Sequence, residues 1–371
     1  MNKLWWTVGA VVVIGLAWWG YSATQTIPAE TGPIKIGLIS PMTGEAATFG
    51  DAWAGGAELA VKEINAAGGI DGRQLELVTE DDRCVAQTGP SIFSKLIDID
   101  KVVAIVGPLC STSAGAGLPI AEEGRIPTII GASAPSLTHD RAFVFRNYPS
   151  DSSQAIYAAH YLNETLGKKS VAVVYVNNDW GIELNRVFVD EFKKLGGEIL
   201  VDEGTPQDVT DMRTVIAKVR GSVPDAVYLA LYPQGGVVAL KAIRQVDLNV
   251  PLIGTDLFST GEIFDVADAE GVLFTIPNTN ARDEFVGRVK SETGREGNEV
   301  SGFAYDAVRI LAAAFAEVGT EAEAVMAYLE DLNFTDSVAL PSVTFDAEGD
   351  LESDASWTMR VVKDGAPVDV Q

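Results

Sequence analysis

The chain has 371 residues, 47% of them hydrophobic and 21% charged, enough apolar material for a large globular protein of two domains or lobes. A formal net charge of −25 and a pI near 4.4 argue against a nucleic-acid partner, because such a surface repels phosphate. Acidity alone names no other partner; it reports a solvated surface.

Residues 1–26 read as an export segment. Lys3 precedes an apolar run over 4–19, with Trp5-Trp6 and Trp18-Trp19 at its ends. One reading is a secretory signal peptide with small residues near Ser22-Ala23 for cleavage. The other is an uncleaved membrane anchor with Trp at both interfaces. Either fate places the remaining chain outside the cytoplasm. No Cys follows closely, which excludes lipid attachment there, and residues 24–33 read as a linker.

The apolar run over 34–39 is a first strand, followed by the loop Ser40-Pro41-Met42-Thr43-Gly44. Phe49-Gly50-Asp51 lies just before a helix over 52–67, which ends at Gly68-Gly69. Residues 74–80 alternate as a strand, 90–99 form a helix, and the β-branched run 102–106 is a buried parallel strand. Ser111-Thr112-Ser113 offers N-cap hydroxyls to a helix over 114–123, where Pro119 fits poorly. A strand over 126–130 stops at Gly131-Ala132-Ser133. Residues 34–133 are thus β-α-β-α-β-α-β, a doubly wound parallel sheet. Two strands of it end in small, hydroxyl-rich loops at the carboxyl edge, where ligands bind. Backbone N–H groups at the helix start suit a carboxylate or phosphate there. The plainer reading is that Ser111–Ser113 only caps the helix.

Near residues 146–154 the chain changes register, and the alternation then repeats. Helices are expected over 151–166, 180–195, 212–220 and 237–246, and strands over 170–176, 199–203, 226–231 and 252–254. Tyr232-Pro233-Gln234-Gly235-Gly236 reads as another loop at a strand end. After residues 271–277 the pattern turns helical (283–293, 299–318, 322–332), with late strands at 343–350 and 357–363. Two similar α/β halves with a cleft between them are the simplest architecture.

Motifs for chemistry are missing. There is no P-loop, no G-x-S-x-G elbow and no H-E-x-x-H; Gly115-Ala116-Gly117 lies inside a proposed helix without the rest of a dinucleotide fingerprint. His139 and His160 read as surface or packing residues. Cys84 and Cys110 are the two cysteines; in an exported chain a disulfide is the default, with free buried thiols as the alternative. Two cysteines make no zinc site without help. These observations point away from an enzyme and imply no cofactor and no metal.

Several ordered motifs carry a resemblance: IKIGLISPMTGEAATFG, EINAAGGIDGRQLEL, EDDRCVAQ, VGPLCSTSA, PSLT, FRNYPSDSSQ, YLALYPQGG and LIGTDL. Across about residues 34–365 the chain resembles a type I periplasmic binding protein of the branched-chain amino acid (Leu/Ile/Val) class, the solute receptor of an ABC importer. The resemblance implies an α/β fold of two Rossmann-like lobes with parallel sheets, joined by three hinge crossings near residues 148–151, 277–279 and 345–350. Lobe I is then 34–148 plus 278–345, and lobe II is 149–277 plus 346–371. It also implies a disulfide between Cys84 and Cys110.

Roles carry over by resemblance. Ser111 holds a ligand α-carboxylate by hydroxyl and backbone N–H. The second carboxylate loop falls at Ala132-Ser133-Ala134, one residue shorter than the family's A-A-T-N-P or S-A-T-S-P form; its Thr is missing and Ser133 is left to supply the hydroxyl. Asp256 pairs with the ligand ammonium where the family often has Glu; its other reading is a helix N-cap. Phe49, Trp180 and Tyr232 line the side-chain pocket, with Leu231 replacing Tyr232 if the register slips by one. The implied function is an extracytoplasmic receptor that closes over an apolar amino acid and docks on ABC permease subunits. The alternative keeps the fold for a sensor of amides, urea or amino acids. The sequence after Lys363 carries no transmembrane or kinase segment, which favours transport.

Overall fold

The computed structural model describes residues 32–280, 283–352 and 357–370. The expected export segment lies outside them. Among the described residues no helix is long and apolar enough to cross a membrane.

The first half builds one sheet. Its elements are β1 (Ile34–Ser40), α1 (Ala47–Ala66), β2 (Leu75–Asp81), α2 (Gly89–Ser94), β3 (Ala104–Val106), α3 (Ser111–Glu123), β4 (Thr128–Ile130) and β5 (Val144–Arg146). The five strands lie in the order β2-β1-β3-β4-β5, every pair parallel. A parallel sheet needs cover on both faces, and β1, β3, β4 and β5 are correspondingly buried almost throughout.

The second half builds another sheet from α4 (Asp151–His160), β6 (Ser170–Val176), α5 (Asp179–Lys194), β7 (Glu198–Thr205), α6 (Arg213–Ser222), β8 (Ala226–Ala230), α7 (Pro233–Gln245), β9 (Leu252–Gly254), α8 (Gly261–Phe264) and β10 (Leu273–Pro277). The chain then returns to the first half. α9 (Asp283–Thr293) and α10 (Glu299–Val318) pack on α1 in one continuous core, joined by α11 (Ala322–Glu330). β11 (Trp357–Lys363) and β12 (Ala366–Asp369) finish the second sheet. Its order is β12-β11-β10-β9-β8-β6-β7, parallel from β7 to β10 and antiparallel at the β11 and β12 edge.

The alternation expected from the sequence is present, with several differences. α1 starts at Ala47, so Phe49-Gly50-Asp51 is helix rather than loop. Gly50 is there for space: a Cβ would lie 2.0 Å from the Pro41 carbonyl oxygen. Gly235-Gly236 is likewise the first turn of α7, where Gly236 lets the Phe258 ring approach to 2.9 Å of a would-be Cβ. α3 starts at Ser111 after Cys110, so Ser111-Thr112-Ser113 is the helix's first turn and not its cap; the helix runs on through Pro119. Finally, residues 343–350 form no strand. Val343 pairs singly with Phe334 and Phe345 with Leu351, because Asp346 Oδ1 accepts the Glu348 and Asp350 N–H groups and folds the segment back on itself.

Candidate functional site

A cavity opens at the carboxyl ends of the strands, lined from the first sheet's side by Ala46, Phe49, Leu109, Cys110, Ser111, Gly131, Ser133 and Val300, and from the second by Trp180, Tyr232, Asp256 and Leu257. Tyr148, on the passage between the sheets, completes it. Six of the seven residues expected at a ligand come together here. Ala132 does not: it is fully buried, and its N–H is donated to the Pro108 carbonyl at 3.1 Å.

One end of the cavity presents neutral donors. The N–H groups of a helix's first turn have no partner within the helix, and here they belong to α3 beginning at Ser111. Ser111 Oγ accepts the Ala134 N–H at 3.1 Å, tying the α3 start to the loop that carries Ser133. Ser113 Oγ is spent differently: it donates to the buried Asp82 carboxylate and to the Cys110 carbonyl at 3.1 Å. Burial pushes Asp82 up to about 6, against the pull of that Ser113 bond.

The other end is acidic. Asp256 follows β9, and its side chain caps no helix. Tyr148 donates its hydroxyl to Oδ2 at 2.7 Å and Gln154 its amide to Oδ1 at 2.8 Å. Burial still raises the Asp256 carboxyl above the usual range, with these two bonds opposing. Asp151, the first residue of α4, joins the acid end to the loop of Ser133, donating its N–H to the Ser133 carbonyl at 2.9 Å; it is 1% exposed, and its Oδ2 has no hydrogen-bond partner among the described residues. Burial, then the charge of Asp256, push it up to about 8, offset in part by Ser133, Arg146 and Trp180. Glu299, at the start of α10, bonds Ser259 and is raised to about 7 by desolvation.

The one fully buried cation among the described residues is Arg146. It is already engaged: Nε donates to Asp350 Oδ1 at 2.8 Å, its second amino group to Oδ2, and its first to the Ala134 carbonyl at 2.7 Å. No group of three His, Cys, Asp or Glu side chains among the described residues is placed to hold a metal ion.

Between the two ends lies an apolar wall. The Trp180 and Tyr232 rings sit 5.3 Å apart, and Tyr232 OH meets Cys84 Sγ at 3.3 Å. Cys84 is bonded to Cys110, with Cα atoms 5.3 Å apart, so the disulfide forms part of the wall that carries Ser111. Tyr232 holds the cavity position, whereas Leu231 points into the second sheet's core.

A family model described as periplasmic binding protein matches residues 33–366. The chain belongs to that family. The Leu/Ile/Val-binding protein of Escherichia coli is 30% identical over 328 residues, covering 86% of this chain and 88% of that protein. Among solved structures, the leucine binding protein LivK of Thermotoga maritima superposes with a TM-score of 0.82 at 26% identity, covering 91% and 98% of the two chains. The branched-chain amino acid transporter substrate binding protein LivJ of Streptococcus pneumoniae, in complex with isoleucine, gives 0.78 at 27% identity and covers 91% and 100%. The two-lobed α/β architecture with mostly parallel sheets is the type I fold of these binding proteins.

Within this periplasmic binding protein, sequence reasoning missed Tyr148 and Asp151. Both lie in the motif FRNYPSDSSQ. Asp151 reads as an ordinary acid favoured at a helix start, and Tyr148 as a packing aromatic. A Tyr and an Asp three residues apart, where the chain leaves one sheet for the other, were the available signal.

Proposed function

We propose that this periplasmic binding protein captures a zwitterionic amino acid with an apolar side chain and delivers it to the membrane permease of an ABC importer. The observation that carries the reading is the polarity of the cavity. Buried acids at one end face no unengaged buried cation among the described residues, and an uncompensated buried charge is costly. An ammonium group supplies the missing charge. At the opposite end, neutral hydroxyl and backbone donors suit a carboxylate without needing one.

In this reading Asp256 meets the ammonium, and Ser111 and Ser133 meet the carboxylate. Phe49, Trp180 and Tyr232, with Leu109 and the disulfide, cover an apolar side chain. The relatives named for leucine, isoleucine and valine support that choice of ligand class. The lobes are 34–148 plus 278–345 and 149–277 plus 346–371, with crossings near 148–151, 277–279 and 345–350. Ligand contacts both lobes, so it binds the closed form preferentially and shifts the equilibrium toward it. The closed form is what a permease would recognise. Residues 1–26 direct the chain out of the cytoplasm, as a cleaved signal or a retained anchor.

Thermal unfolding of the full chain with a panel of amino acids, urea, short amides and aromatic acids tests this. A ligand at about 100 times its Kd adds roughly 2.7 kcal/mol. The expected result is a shift with leucine, isoleucine or valine. A shift confined to urea, amides or aromatic acids would contradict the reading.

A further inference from the structure

Asp151 and Asp256 pose a problem of charge that one ammonium group does not solve. Both carboxyls are buried, and the charge of Asp256 raises the cost of ionising Asp151. Asp256 has two donors, Tyr148 and Gln154. Asp151 Oδ2 has none among the described residues, and neither Gln154 Oε1 nor Tyr228 OH, buried in the same second lobe, has a partner. Ser133 and Trp180 hydrogen-bond the Asp151 carboxyl, and the other groups around the pair are accounted for as well. Arg146, from β5, is held by Asp350 and the Ala134 carbonyl. Tyr148, Tyr228 and Tyr232 are phenols that burial keeps neutral. Glu299, from α10, is a third acid, bonded to Ser259. Both histidines lie elsewhere: His139 is exposed, and His160 pairs with Glu164 and Glu191. Two like charges sharing one buried site do not both ionise; one keeps its proton.

Building on the amino acid reading above, we propose that the Asp151–Asp256 pair holds one proton in the empty site and releases it to solvent when an amino acid's ammonium group enters, Asp151 being the carboxyl that loses it. The O–H bond of Asp151 breaks, its electron pair stays on the carboxylate, and the proton passes to bulk buffer. The ammonium keeps its three protons and lies between the two carboxylates, offsetting part of their charge. The lift of Asp151 to about 8, caused by burial and by Asp256, agrees with this direction. The consequence is selectivity: a neutral amide or an anion has no positive charge with which to expel the proton. Binding also tightens as pH rises toward 8 and weakens as it falls.

Isothermal titration of the full chain with L-leucine, L-isoleucine and L-valine at pH 7 in phosphate and in Tris reads the proton directly, since the two buffers differ in ionisation enthalpy. The expected result is a buffer-dependent enthalpy that corresponds to release of up to one proton per ligand bound. Kd should fall by nearly tenfold per pH unit between pH 6 and pH 7, the limit for one linked proton. In Asp151→Asn the buffer dependence should vanish. The wild-type pH profile decides the matter even where that variant does not fold. A buffer-independent enthalpy with a flat pH profile would overturn the proposal while the amino acid reading stands. Proton release that persists in Asp151→Asn would overturn the assignment to Asp151. Failure of all three amino acids to bind would overturn the reading of the site and the proposal with it.

Discussion

The two ends of the cavity solve the same problem in opposite ways. At the hydroxyl end Ser111 Oγ accepts the Ala134 N–H and Ser113 Oγ donates to Asp82, while Thr112 Oγ1 has no partner among the described residues. That end's groups facing the cavity are uncharged donors. At the acid end Asp256 is bonded but Asp151 Oδ2 is not, and both carboxyls are raised by burial. An end built of neutral donors gains only modest net hydrogen-bond energy from a guest. An end under electrostatic strain gains the relief of that strain as well. On the proposed reading, discrimination between ligands resides at the acid end, and the hydroxyl end chiefly fixes orientation.

The largest effect expected from breaking this asymmetry comes from Asp256→Ala. Removing the partner of a buried charge costs about 2–5 kcal/mol, so leucine affinity measured by titration calorimetry should drop by roughly 30-fold to several thousandfold. Ser111→Ala should cost less, roughly 1.5 kcal/mol or about tenfold, the lower range for a hydrogen bond to a charged group. If the two losses were equal, the contrast between the ends would fail.

The empty protein offers a test without ligand. A carboxyl whose folded pKa is raised contributes stability below its unfolded pKa and loses it as pH climbs through the folded value. For Asp151 that window runs from the ordinary 3.8 to about 8. The unfolding temperature of the ligand-free chain should thus fall more steeply between pH 5 and pH 8 than that of Asp151→Asn, by scanning calorimetry. Parallel curves would remove Asp151 from the account. The smallest effect belongs to Tyr148→Phe. It deletes one donor to Asp256, while Gln154 still holds the other oxygen. About 1 kcal/mol, a several-fold weaker affinity for leucine, is expected.

Most of the fold was legible because buried parallel strands are written as short β-branched runs, and helices between them as longer segments bounded by glycine. Reading failed where a residue answers to a distant neighbour. Gly50 and Gly236 looked like loop signals, yet they make room for Pro41 and Phe258 inside helices. β5 is three residues, Val144–Arg146, recruited by β4 alone among the strands, and β12 is an exposed edge that pairs only with β11. In the site, motif resemblance brought Phe49, Ser111, Ser133, Trp180, Tyr232 and Asp256 to one cavity. It did not mark Asp151, because an acid at a helix start has an ordinary local explanation. Its burial beside Asp256 depends on how α4 packs on the second sheet. Nor did it show that Asp256 turns toward Tyr148 and Gln154 rather than capping a helix.

The central claim is that the acid end selects the ligand, and truncated leucines test it most directly. 4-Methylpentanoate keeps the carboxylate and side chain but lacks the ammonium; 3-methylbutylamine keeps the ammonium and side chain but lacks the carboxylate. Titration calorimetry of the full chain with leucine and both analogues compares the two ends in one experiment. Leucine should bind tightest, and losing the ammonium should cost more affinity than losing the carboxylate. Equal losses, or tighter binding of 4-methylpentanoate than of 3-methylbutylamine, would contradict it.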